Sequence, residues 1–166
     1  PRVCNQFLEK KWKRQLPVHS LAASIHSIDQ RMLRSNKHTI PWPHGDKDIR
    51  GILRRTEPRL DFIQSEEEVG NRELVKLGVP YGNDFVCFYA RDAAYLDGTH
   101  AYRTWEYHQY RDASIDNYIP AVQELVERGC YAIRMGSITN LSLSTDDARI
   151  IDYSCSGTSD FMDVFL

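Results

Sequence analysis

The chain has 166 residues, 42% of them apolar and 27% charged, with a formal net charge of -2. That length supports one good-sized domain or parts of two, and the balance excludes a disordered chain and a strong general field for nucleic acid. No run approaches the roughly 20 apolar residues of a membrane helix, and the N-terminus lacks the layout of a secretory signal, so a cytoplasmic protein is expected.

Cys4, Phe7, Leu8, Trp12 and Leu16 recur at helical spacing opposite Glu9, Lys10, Lys11, Lys13 and Arg14, which predicts an amphipathic helix ending at Pro17. Leu21, Ile25, Ile28 and Met32 repeat the pattern up to Ser35-Asn36. Residues 36–61 lose periodicity at Pro41, Pro43, Gly45, Gly51 and Pro58, and Arg50, Arg54, Arg55 and Arg59 make them basic, as in a surface loop or a connection between lobes. Ser65-Glu66-Glu67-Glu68 has the capping-box pattern, and Gly78 suits a helix end, so a helix is expected near 66–77.

Phe85-Val86-Cys87-Phe88-Tyr89-Ala90 is apolar on both parities, the signature of a parallel strand covered on both faces. Ser114 and Asp116 are candidate caps for a helix through Val122 and Val126 that stops at Gly129, with Pro120 in its first turn. Cys130–Met135 and Ile150–Tyr153 are the next strands, and Ser159 caps a closing helix. Strand, helix and strand at these separations form a βαβ unit. The expected fold is therefore α/β: a parallel, doubly wound sheet with flanking helices over 81–166, preceded by a mainly helical segment over 1–80. Pro1 is not an initiator Met, and the apolar run Phe161–Leu166 has no polar exit; both ends look cut, and further sequence is expected after Leu166.

Cys4, Cys87, Cys130 and Cys155 show no C-x-x-C pair, so they are expected to be reduced, with Cys87 and Cys130 packing as small hydrophobes. Ligands of open parallel sheets bind beyond the carboxyl ends of the strands. Arg91-Asp92, Arg134-Met135-Gly136 and Asp152 with Ser156–Asp160 occupy such ends. A departing diphosphate needs charge that is already positioned. Arg91 is the first candidate for it, against a salt bridge to Asp92 or a neighbouring loop; Arg134 either joins it or reaches solvent. Gly136 and Gly157 would let main chain approach phosphates. Asp92 is either a general base toward an acceptor hydroxyl or a turn cap, and Asp152 and Asp160 either contact ribose or base or serve as caps.

Tyr95, Tyr102, Trp105, Tyr107 and Tyr110, with Arg103, His108 and Arg111, suit sugar rings in an acceptor site, nucleobases, or the packing of their own loop. Asp46-Lys47-Asp48 is a D-x-D, a pattern able to hold a metal, but it follows no strand; the six histidines lack ligand spacing, and neither metal nor cofactor is expected. P-loop, G-x-G-x-x-G and G-x-S-x-G motifs do not occur.

The run Phe85–Leu96, with Tyr110-Arg111-Asp112, Asn117–Ala121, Gly129–Gly136, Ile151-Asp152-Tyr153 and Ser159–Asp163, resembles a bacterial family of surface-polysaccharide loci regarded as glycosyltransferases. The resemblance covers roughly residues 60–166 and the earlier helices more loosely. That family is distantly similar to fucosyltransferases with two Rossmann-like lobes, in which an H-x-R strand end holds the donor diphosphate without metal. The resemblance implies Arg91 on the phosphates, residues 134–136 and 152–160 around the nucleoside, and a further Ser/Gly-rich donor segment beyond Leu166. This chain departs from it at Tyr89, where the pattern has His.

The function expected is transfer of a sugar from a nucleoside-diphosphate donor to a glycan or lipid-linked acceptor, with donor contacts at Arg91, Arg134, Gly136, Asp152, Ser159 and Asp160. Asp92 is the catalytic candidate, and Tyr95, Tyr102 and Trp105 are acceptor contacts. The competing reading is a carbohydrate- or nucleotide-binding module without turnover, or an inactive fragment. RNA binding by 50–59 and the aromatic loop is opposed by the net charge.

Overall fold

In the computed structural model of the chain, Asn5 opens the first helix, α1 (Gln6–Gln15), by accepting a hydrogen bond from the Leu8 amide at 2.8 Å. The described residues are 4–16, 19–32, 55, 57, 60–99 and 106–166. Pro1–Asp61 and Phe62–Leu166 are separate units.

In the first unit, α1 departs from the face its periodicity predicts. Lys11 is 2% exposed while Trp12 is 44% exposed. The Lys11 ammonium donates to the Asp61 carbonyl at 3.0 Å and lies 5.6 Å from the Phe7 ring centre, so the charge has acceptors where its stem is out of water. The second helix, α2 (Ala22–Met32), forms as expected, yet Leu21, Ile25, Ile28 and Met32 are each more than half exposed. Residues 33–54, including Asp46-Lys47-Asp48, Arg50 and Arg54, lie outside the described residues, as does Arg59.

The second unit is α/β. Among the described residues its three strands, β1 (Phe85–Phe88), β2 (Tyr131–Arg134) and β3 (Ile150–Asp152), are parallel in the order β1-β2-β3. Helix α3 (Gln64–Leu77) precedes β1 and belongs to this unit, so the division falls at 61/62 rather than at the expected 80/81. The reason is packing: Leu74 of α3 and Val79 after it join Ile133, Tyr153 and Met162 in one core beneath the sheet. The helix starts at Gln64, earlier than the Ser65 pattern suggests, because Glu66 reaches back to the Ile63 amide at 3.2 Å. It stops at Gly78 (φ +107°), where the Gly78 amide bonds the Val75 carbonyl and the Val79 amide the Leu74 carbonyl.

Between β1 and β2 come α4 (Ala94–Thr99), two 3₁₀ turns and α5 (Ile119–Glu127), with Pro120 in the first turn of α5 and Gly129 closing it. Val122 and Val126 of α5 pack on Ala132 and Ile150, on the opposite side of the sheet from α3. A short closing helix, α6 (Met162–Phe165), returns to the α3 side, where Phe165 stands 5.3 Å from the Phe62 ring and 5.7 Å from the Phe161 ring.

Helices thus cover both faces of the sheet, as a parallel arrangement requires. The cover is incomplete at β1, where Val86 is 36% exposed, so the expectation of a strand closed on both sides is corrected there. β1 pairs with β2 alone among the described residues, and the cluster under α5 centres on the two strands beyond it, with Phe88 of β1 at its margin.

Candidate functional site at the carboxyl ends of the strands

Polar side chains stand at or just after the carboxyl end of each strand: Arg91 and Asp92 after β1, Arg134 ending β2 and Asp152 ending β3, and the last three act together. Arg134 and Asp152 are register partners. All three bond to the main chain of one loop, the connection between β2 and β3. Asp92 Oδ2 accepts from the Asn140 amide at 2.9 Å, Arg134 Nη1 donates to the Leu141 carbonyl at 2.5 Å, and Asp152 Oδ2 accepts from the Leu143 amide at 2.8 Å. Residues 140, 141 and 143 are therefore stitched across all three strand ends in turn.

Below this loop lies a cleft of about 170 Å³, lined by Ala90, Asp92, Ala113, Ile115, Arg134 and Asn140 among others. Arg134 is 2% exposed, which corrects the alternative that it simply reaches solvent. Its Nη1 also lies 3.2 Å from Asp152 Oδ2, whereas Nε and Nη2 have no hydrogen-bond partner among the described residues. Burying guanidinium donors unpaired is costly, so this edge of Arg134 calls for an acceptor. Asp152 is further engaged by Ser154, whose hydroxyl and amide both donate to Oδ1. Burial pushes the Asp152 carboxyl upward, but hydrogen bonds from Ser154 and the Leu143 amide and the charge of Arg134 outweigh it and hold the group below the usual carboxylate range.

Arg91 lies between two cleft residues, Ala90 and Asp92, and its Nε stands 3.7 Å from Asp112 Oδ1, with a third of its side chain exposed. Its partner is thus Asp112 and not Asp92, and the Arg91 carbonyl accepts from the Ala113 amide at 2.9 Å. Asp92 Oδ1 accepts from the Ala94 amide at 3.1 Å, so this carboxylate ties the start of α4 as well as the 140 loop, the capping arrangement the residues also allow.

Gly136 has φ +150°, and a Cβ there would meet Thr139 Cγ2 at 3.0 Å, so the chain turns tightly against the loop it begins. Ser159 lies apart from the cleft residues: its Oγ accepts from the Met162 amide at 3.2 Å, the expected cap of the closing helix. Its amide donates to the Tyr153 hydroxyl at 2.8 Å, and that hydroxyl donates to Asp163 at 2.9 Å. Asp160 follows Ser159 in the first turn before α6 and is not among the cleft residues. The side chain of Tyr95 and all of Tyr102 and Trp105 lie outside the described residues.

Asn140 and Leu141 were not marked by the sequence, and Asp112 stood only within the Tyr110-Arg111-Asp112 run of the resemblance, with no role given to it. Their roles come from main-chain amides and one long-range ion pair, and no residue-type signal announces either. A larger groove of about 560 Å³ beside α3, lined by Glu68, Arg72, Val75, Lys76 and Tyr81, has no buried polar group among the described residues, so the chemistry is better sought at the strand ends.

The four cysteines are free, and Cys87 sits in the α3-side core, where burial pushes its thiol upward. Among the described residues no group of His, Cys, Asp and Glu is placed to hold a metal ion, and no helix is long and apolar enough to cross a membrane. In comparisons with protein-family models, curated proteins and solved structures, nothing matches the chain.

Proposed function

We propose that the Phe62–Leu166 unit is a Rossmann-like, donor-binding part of a cytoplasmic glycosyltransferase. In this reading a sugar moves from a nucleoside-diphosphate donor to a glycan or lipid-linked hydroxyl, and Arg91 meets the departing phosphates without a metal. The observation that carries the reading is a cleft beyond the carboxyl ends of two parallel strands, with a buried arginine at its edge and a second arginine beside it. A contact of 3.7 Å to Asp112 is a loose pairing, and the part-exposed Arg91 guanidinium is free to present two donors to phosphate oxygens.

The test is calorimetric titration of the chain with uridine, guanosine and cytidine diphosphates, before and after Arg91→Ala. Binding of one of them that weakens on substitution supports the assignment; equal affinity removes Arg91 from it.

A binding module without turnover is the second reading. It is favoured by Asp92, whose two oxygens already accept main-chain N–H groups from Ala94 and Asn140. Donor hydrolysis separates the two, since a module binds a nucleotide sugar and leaves it intact.

A further inference from the structure

The cleft is too small for a nucleoside diphosphate. At about 170 Å³ it falls below the roughly 300–1,000 Å³ of sites that enclose a whole drug-sized ligand. It suits one compact group. The charges around it also select. Among the described residues Arg134 is the one cation lining it, and that guanidinium is already paired with Asp152 at 3.2 Å, while Asp92 lines the same space as a second carboxylate. One guanidinium against two carboxylates leaves the surroundings net negative, so a phosphate group entering there would be repelled.

A neutral group bearing hydroxyls meets no such penalty. The oxygens of two adjacent hydroxyls on such a ring match the pair of donors on the Nε and Nη2 edge of Arg134, which has no partner among the described residues, and their own hydrogens find lone pairs left on Asp92 and the Asn140 side chain. The apolar faces of Ala90, Ala113 and Ile115 suit the C–H side of such a ring. We infer that the cleft at the ends of β1 and β2 is a sugar subsite, which takes the neutral, hydroxyl-bearing ring of the donor and leaves its diphosphate to Arg91 outside. The inference rests on the glycosyltransferase reading for the identity of the ring as the donor's, and it deepens that reading by dividing the donor between the two arginines.

The experiment is a nuclear magnetic resonance titration of the ¹⁵N-labelled chain with methyl glycosides of glucose, galactose, mannose and fucose, and separately with inorganic phosphate. At least one glycoside is expected to shift the amides of Ala94, Asn140 and Leu141 and the Arg134 Nε–H in a saturable way, with phosphate leaving them in place. Ala113→Leu and Ala90→Leu, which each add bulk to the lining of the cleft, are expected to weaken that response by at least about tenfold while the remaining spectrum stays native. Shifts with phosphate alone, or none with any glycoside, overturn the inference. So does an unchanged glycoside response in whichever variant keeps a native spectrum. A chain that binds a nucleoside diphosphate through Arg91 but no glycoside loses the sugar subsite alone, whereas glycoside binding without nucleotide binding removes the donor reading and keeps the subsite.

Discussion

Arg134 and Asp152 stand opposite each other at the carboxyl ends of neighbouring strands, Nη1 3.2 Å from Oδ2, with side chains 2% and 14% exposed. Removing one partner of a buried pair leaves the other charge stranded. Arg134→Leu is therefore expected to destabilise the chain by about 3 kcal/mol, read as a lower urea midpoint at constant slope. Arg134→Leu combined with Asp152→Asn should cost less than the two single changes summed, since the second change removes the stranded charge. Additive effects would show that the pair carries no coupling.

Asp152 also sets an acid limit. Its carboxyl is held below the usual range in the folded chain, so the unfolded chain takes up the proton first as pH falls. The contribution is present above the unfolded value of about 4 and is lost as pH falls through the lower folded one. Urea unfolding from pH 6 down to pH 2.5 should show a decline that Asp152→Asn flattens. Asp147, shifted the same way by its hydrogen bonds with Arg149 but lying in an exposed pair, is the control: Asp147→Asn should flatten the decline much less.

Tyr153 makes the opposite prediction at high pH. Burial raises its hydroxyl above the ordinary value, and the hydroxyl bridges the Ser159 amide and Asp163. Its contribution is whole below the unfolded value of about 10 and disappears as pH rises through the folded one. Tyr153→Phe is expected to cost about 1–2 kcal/mol near neutrality and to remove part of the alkaline decline. A variant as stable as the parent at pH 7 would mean that the bridge contributes nothing.

Two glycines inside helices should respond in opposite directions to alanine. At Gly70 in α3 a Cβ would fall on the Phe165 ring, and that ring packs against Phe62 and Phe161. Gly70→Ala is expected to destabilise by about 1–3 kcal/mol, because the ring must leave its packing against Phe62 and Phe161 to make room. At Gly98 in α4 no atom of the described residues stands within 4 Å of the added carbon, so Gly98→Ala should stabilise by about 0.5–1 kcal/mol. Thermal melts of both variants check the contrast.

The elements most legible in the sequence are those fixed by neighbours along the chain. Gly78 and Gly129 end their helices, and Ser159 starts the closing one, through bonds spanning a few residues, so residue type and spacing suffice to place them, whereas Ser114 caps the 3₁₀ turn Ile115–Tyr118 ahead of α5 and not α5 itself. The strands follow from apolar runs, and their parallel pairing from the helices between them.

The unit boundary, the burial of Lys11 and the exposure of Val86 were not legible in this way. Each depends on which distant surface covers a residue, and periodicity records only that some surface does. The same holds within the candidate site. The sequence by itself determined that Asp92, Arg134 and Asp152 sit at strand ends. Only the tertiary structure decided that Asp92 meets an amide 48 positions away and that Arg134 meets a carboxylate 18 positions away, because those partners are chosen by strand order and register.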